Sequence, residues 1–141
     1  MDFKSILVPV DIWESPAPQR HILVAAGIAR SCSCPIRAIT VLPDAEVIRR
    51  YVHSIVTFDQ AITTIKEELQ ALIKRTSPAD IKWTCDVVRG EIYKEILAAQ
   101  KAQEIDLIVM PAHRPKITDF LIGSNAEKVA RHASCSVLIV R

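Results

Sequence analysis

Gly123-Ser124-Asn125 lies where a loop meets an amphipathic helical pattern. Residue types of this kind at a helix start make an anion site. The first N–H groups of a helix have no carbonyl one turn back, and the helix dipole places a partial positive charge there. Phosphate oxygens satisfy both. The same residues have a purely structural reading. Ser124 and Glu127 form a Ser-x-x-Glu capping box, worth about 1 kcal/mol, and Gly123 allows a positive φ ahead of it. Asp11 follows an apolar run directly. An acid in that place accepts hydrogen bonds from ribose hydroxyls or caps the next turn. His113 and Arg114 stand in the loop before Gly123. Arg114 has the geometry to pair with phosphate oxygens, while a histidine in such a loop is ordinarily just solvated. Val41 and Met110, taken singly, read as core.

Other chemistries lack their residues. There is no Gly-x-x-x-x-Gly-Lys-Ser/Thr loop, no Gly-x-Ser-x-Gly elbow and no defensible Ser/His/Asp or Cys/His set. Four cysteines stand at positions 32, 34, 85 and 135. Cys85 and Cys135 fall in or beside apolar runs, where free cysteine is commonly core. Cys32-Ser33-Cys34 is tighter than Cys-x-x-Cys spacing, and no second ligand pair accompanies it. No metal is expected.

The elements that must position these groups alternate along the chain. Lys4 to Val10 contains an unbroken apolar run, which predicts a strand covered on both faces. Pro9 would cost a ladder hydrogen bond in mid-sheet but is tolerated near the carboxyl end, where ligands bind in open α/β sheets. Ser15-Pro16 predicts a helix start, and Ile22, Ala25, Ala26 and Ala29 continue it at helical spacing. Pro35 stops that helix, and Ile36 to Leu42 is the second strand. Residues 44 to 77 read as mostly helical, with Ile62, Ile65, Leu69, Leu72 and Ile73 on one stripe; Ala45 to Phe58 could contain a break. Ile81 to Val88 is the third strand. Gly90 allows a turn, and Glu91 to Glu104 is a helix with Ile92, Ile96 and Leu97 inward. Leu107 to Met110 and Val137 to Val140 complete the strands, with the 124–133 helix between them.

Strand, helix, strand throughout predicts one domain over residues 1–141. It is an α/β fold with an open five-stranded parallel sheet, right-handed crossovers and helices on both faces. The strand order is flavodoxin-like or its relative 3-2-1-4-5, the latter being the one expected here. In either, the crevice lies beside strand one at a switch point. Asp11, Val41, the loop 111 to 122 and Gly123-Ser124 converge there.

At 141 residues, with half of them hydrophobic and 24% charged, a substantial core is available. A net charge of +2 with no basic run gives no case for nucleic acid. No apolar stretch approaches the roughly 20 residues that span a bilayer. Met1-Asp2-Phe3-Lys4 leads straight into a strand with no signal peptide, so a cytoplasmic location is expected.

Over essentially its full length the chain resembles a universal stress protein (Usp) domain. The resemblance is carried by Ile6-Leu7-Val8-Pro9-Val10-Asp11, Gly90, Asp106-Leu107-Ile108-Val109-Met110, the block from Gly123 to Ala133, and Ser136 to Arg141. It implies a Rossmann-like, adenine nucleotide α-hydrolase-like fold and a stress-response role. ATP-binding members carry Gly-x-x-Gly-x9-Gly-Ser/Thr. Here Pro111 stands at the first glycine and Arg114 at the second, and the stretch to Gly123 is one residue shorter. A proline has no N–H to give a ribose. His113 matches a histidine common in the motif. The Met-Pro-Ala-His-Arg-Pro variant is most similar to the small F/G-type members, which resemble the nucleotide-binding branch.

The implied cofactor is ATP (or ADP or AMP), with Mg²⁺ carried by its phosphates. The implied nucleotide-binding residues are Pro9, Asp11, Val41, Met110, Pro111, His113, Arg114, Gly123, Ser124 and Asn125. Among them Asp11 would contact ribose, Val41 would offer backbone groups to adenine, and Met110 and Pro111 would line the adenosine. Ser124 and Asn125 would face the phosphates, and Arg114 would supply by charge what the second glycine supplies by N–H. The function expected is a nucleotide-dependent regulatory module, with at most slow hydrolysis. Two alternatives are a dimeric interaction protein with an empty crevice and an enzyme of the related α/β nucleotide class. A homodimer through Val137-Val140 is expected, because an uncovered apolar edge strand recruits another strand, and the resemblance implies the same.

Overall fold

An apolar run with no polar alternation has two faces to bury, so it settles between helices rather than at a solvated face. Ile6 to Pro9 and Leu107 to Met110 are such runs and are buried throughout, whereas the outermost strands carry polar residues and stay partly exposed. The five strands are β1 (Ile6–Pro9), β2 (Ile36–Leu42), β3 (Trp83–Arg89), β4 (Leu107–Pro111) and β5 (Ser136–Val140), all parallel in the order β3-β2-β1-β4-β5. This is the expected order. Between them lie α1 (Arg20–Cys32), α2 (Phe58–Thr76), α3 (Ile92–Ala102) and α4 (Ser124–His132). The computed structural model describes residues 2–12, 19–44, 57–112 and 122–141.

The period of two along each strand divides the core. Ile6, Val8 and Val10 of the β1 run, with Ile36 and Ala38 of β2, pack under α1 and α2. Leu7, Ile39, Val41, Ile108 and Met110 face the other way and pack under α3 and α4. Helix α2 contributes Ile65, Leu69, Leu72 and Ile73 as the stripe predicts, but Ile62 is only half-buried and Ala61 takes the inward place.

Several boundaries differ from the sequence reading. The Ser15-Pro16 helix start lies outside the described residues, and α1 as described begins at Arg20 with Gln19 before it and no side-chain cap. Residues 45–56, where a break was allowed for, are outside as well. Helix α2 begins after Thr57, whose hydroxyl accepts from the Gln60 amide (3.2 Å) while Gln60 Oε1 accepts from the Thr57 amide (2.9 Å). Strand β3 starts at Trp83 rather than Ile81, and α3 ends at Ala102 because the chain turns through positive φ at Glu104. Asp106 ties the sheet's amino edge together. Its carboxylate accepts from the Lys4 amide (2.8 Å) and the Ser5 amide (3.0 Å), fixing the entry of β1 beside β4.

Candidate functional site

The site begins at the tip of β1. In a parallel strand, alternate residues turn their N–H and C=O toward alternate neighbours. Ile6 donates to Pro35 O (3.1 Å) and Val10 to Ile39 O (2.8 Å), so the even-numbered residues face β2. Leu7 and Pro9 therefore face β4, and Pro9 has no N–H to continue that ladder. Strands β1 and β4 accordingly pair at Ile6–Leu107 and Leu7–Ile108, whereas β1 and β2 pair as far as Pro9–Ile39. The proline ends the ladder on the side where strand order reverses. In open α/β sheets ligands bind outside the carboxyl ends of the strands at such a switch point.

Two buried side chains hold the tip. His21 on α1, 2% exposed, places Nε2 at 3.0 Å from Pro9 O. A carbonyl only accepts, so Nε2 carries the proton. Burial lowers the His21 pKa to about 4, the Pro9 hydrogen bond opposing this in part, and the ring is neutral near pH 7. From the other side the Thr40 hydroxyl donates to Val10 O at 2.9 Å. The chain leaves this brace directly into Asp11, which is half-buried at the edge. Sequence reasoning passed over both groups. The signal was available for His21, a polar residue beside Ile22 in an otherwise apolar stripe.

The second half of the site is the turn from β4 into α4. Ala112 N–H donates to Val140 O at 2.9 Å, extending β4 alongside β5. Ala112 O then accepts from the Gly123 amide, which closes the intervening loop and sets the start of α4 over the end of β4. Gly123 is the N-cap, at φ −58 and ψ 150, so it needs no positive φ. Ser124 is the first helical residue and makes no side-chain cap bond; the expected capping box is absent. Two facts explain this. The Ala112 carbonyl draws Gly123 into the cap position, and Glu127 reaches forward to Arg131 (2.7 Å) instead of back. Glu127 N–H is the first to close a turn, on Gly123 O at 3.0 Å. The amides of Ser124, Asn125 and Ala126 are therefore the first-turn donors of α4. Ser124 is exposed and Asn125 half-buried beside them.

The structure thus brings Pro9, Asp11, Pro111, Gly123, Ser124 and Asn125 to one edge. Val41 and Met110 reach the same edge, but their side chains are buried under α3 and α4, 8% and 4% exposed. Any contact there falls to their backbone. His113 and Arg114 lie outside the described residues. Among the described residues no group of His, Cys, Asp and Glu could hold a metal ion. A shallow groove of about 610 Å³ lies elsewhere, lined by Asp2, Phe3, Ile105, Asp106, Ser134, Cys135 and Ser136. Those residues sit where strands begin, away from the α4 amides, and the chemistry of the carboxyl edge outweighs the groove's size.

An open five-stranded parallel sheet in this order, with an acid after strand one and a helix start over the end of strand four, defines a single α/β domain with its switch point beside β1. The Universal stress protein family profile matches residues 2–141, and the chain belongs to that family. It is 28% identical over 142 residues to universal stress protein G of Salmonella typhimurium, covering 99% of each chain. The universal stress protein UspA from Lactobacillus plantarum superposes with a TM-score of 0.74 at 25% identity, covering 100% of this chain and 99% of that one. The Archaeoglobus fulgidus universal stress protein, solved in complex with dAMP, superposes with a TM-score of 0.61 at 21% identity and full coverage of both chains. Among the described residues no helix is long and apolar enough to cross a membrane.

Proposed function

We propose that the protein is a stress-response module that binds an adenine nucleotide, ATP with its Mg²⁺ or ADP or AMP, at the carboxyl edge between β1 and β4. The observation that carries this is the bond from Gly123 N–H to Ala112 O. It holds the first-turn amides of α4 over the end of β4, one strand from the braced tip that presents Asp11. Asp11 receives ribose hydroxyls, the amides of Ser124 and Asn125 receive phosphate oxygens, and the Val41 and Met110 backbone borders the base. Pro9 and Pro111 wall the sugar without donating to it. By the family resemblance, Arg114 and His113 would serve the phosphate end. The dAMP complex of the Archaeoglobus fulgidus protein supports an adenine monophosphate as the shared unit. Mg²⁺ would come carried by the phosphates.

Saturating Mg-ATP should raise the melting temperature, because a ligand selective for the native state stabilises it by mass action. Ser124→Leu and Arg114→Glu should each abolish the shift. No shift at millimolar nucleotide would leave the second reading, a dimeric interaction protein with an empty crevice. One observation favours that reading: Pro111 lacks the N–H that a glycine would direct at the sugar. Binding without turnover is the expected mode. Phosphate release at about 1 per second or faster would instead mark a dedicated enzyme.

A further inference from the structure

Cys32, Ser33 and Cys34 lie at the end of α1, on the opposite edge of the sheet from the nucleotide crevice. Ser33 adopts a left-handed conformation, φ 51 and ψ 43, although it is not glycine. Its N–H bonds to Arg30 O and the Cys34 N–H bonds to Ala29 O at 3.2 Å, so the chain folds back over the last helical turn. This brings the second cysteine round to the first. The two thiols lie close enough to interact, and both are partly exposed. Alpha carbons two residues apart are at most about 7 Å from each other, and a reversal at the middle residue shortens that into the range a disulfide requires.

The other two cysteines cannot compete. Cys85 is buried on β3. Cys135 precedes β5, three strands across the sheet from Cys34, or roughly 14 Å at the ordinary strand spacing. That is twice the reach of a disulfide. Of the four cysteines in the sequence, 32 and 34 form the one adjacent pair.

We propose that Cys32 and Cys34 are a redox-modification site that closes to an intramolecular disulfide by exchange with a low-molecular-weight disulfide. The Cys32 thiolate attacks one sulfur of the small disulfide and expels the other as a thiolate. The Cys34 thiolate then attacks Cys32 Sγ in the mixed disulfide and expels the second small thiolate. Two protein thiols are oxidised, one small disulfide is reduced to two thiols, and the two protons released are taken up by those thiols. Burial pushes the Cys34 thiol up, with Cys32 and Asp106 adding to it, so ring closure quickens as pH rises. The pair answers a sustained oxidising poise instead of turning over as a catalyst.

The test uses the reduced full chain equilibrated in glutathione buffers of graded ratio, alkylated, digested with trypsin and read by mass spectrometry. Cleavage after Arg30 and Arg37 isolates both thiols in the peptide Ser31 to Arg37. That peptide should lose two hydrogens and take no alkyl group, while Cys85 stays alkylated. In Cys34→Ser, Cys32 should accumulate as the glutathione adduct, because the closing thiol is gone. The proposal is overturned if the wild-type peptide at the most oxidising ratio carries only alkyl groups or glutathione. It is also overturned if wild type and Cys34→Ser accumulate the Cys32 adduct equally. The wild-type measurement decides the matter even where the variant folds poorly.

Discussion

His21 is where one side chain governs both stability and the site. In the unfolded chain its pKa returns to the ordinary 6.5, against about 4 in the fold. Between those values the unfolded state binds the extra proton, so stability rises with pH across the window and falls as pH drops through it. The full difference corresponds to roughly 3 kcal/mol. His21→Gln keeps an N–H for Pro9 O but does not titrate. The urea midpoint of wild type should fall between about pH 6.5 and pH 4, and His21→Gln should remove most of that slope. Equal slopes in the two proteins would mean that the ring is not protonation-resistant in the fold. The same variant should still bind nucleotide near pH 7, since the brace on the β1 tip is retained. His21→Ala would leave a buried carbonyl without its donor, at about 1–3 kcal/mol.

At the scale of elements, strands were legible and helix ends were not. Four-residue apolar runs such as Leu107 to Met110, too short for a helix and bounded by turn residues, read as inner strands, and the alternation of strand and helix narrowed the strand order to two, of which 3-2-1-4-5 is the one found. The cap patterns were ambiguous because two identical grammars gave opposite outcomes. Thr57-x-x-Gln60 forms a reciprocal capping box that went unrecognised, while Ser124-x-x-Glu127 was recognised and does not form. What decides between them is tertiary: the Ala112 carbonyl claims the Gly123 amide and Arg131 claims Glu127. The candidate site was legible to the same degree. Asp11 and the α4 start were visible in sequence. The brace from His21 and Thr40 was not, since only the packed sheet brings position 21 to position 9 and position 40 to position 10. The turn from β3 into α3 was read correctly at Gly90, which adopts φ +145 and donates to Leu42 O at 3.0 Å. A Cβ there would meet Glu95 Oε1 at 2.6 Å. The glutamate can swing away, but the backbone cannot relax without losing the Leu42 bond. Gly90→Ala should therefore cost about 1–3 kcal/mol in urea denaturation, and a change within a few tenths would show that the turn tolerates an L-residue.

For the whole molecule, β5 is the edge strand of the sheet, next to β4, among the described residues. Strand β5 ends the sheet and pairs with β4 from Leu107–Ser136 to Pro111–Val140. Val140 O accepts from Ala112, so Val140, Leu138 and Ser136 turn their backbone toward β4 and Val137 and Ile139 turn theirs outward. Those two outward residues pack their side chains into the core under α3 and α4, while Leu138 is 36% exposed. An outward pair of amides and carbonyls flanked by an exposed leucine is the pattern of an edge that takes a second strand. A two-fold axis beside it would pair β5 with its own copy, antiparallel, and place the two Leu138 side chains near each other. Leu138→Lys puts like charges at that contact while leaving the β4 ladder and the Val137 and Ile139 core contacts intact. If β5 pairs in this way, Leu138→Lys should lower the light-scattering mass from dimer to monomer at micromolar concentration with little change in thermal stability of the fold. A proline at Leu138 would be a poor test, because the amide it removes belongs to the protein's own sheet. An unchanged dimer mass for Leu138→Lys would move the interface away from β5, and a wild-type monomer at micromolar concentration would remove the dimer from the account.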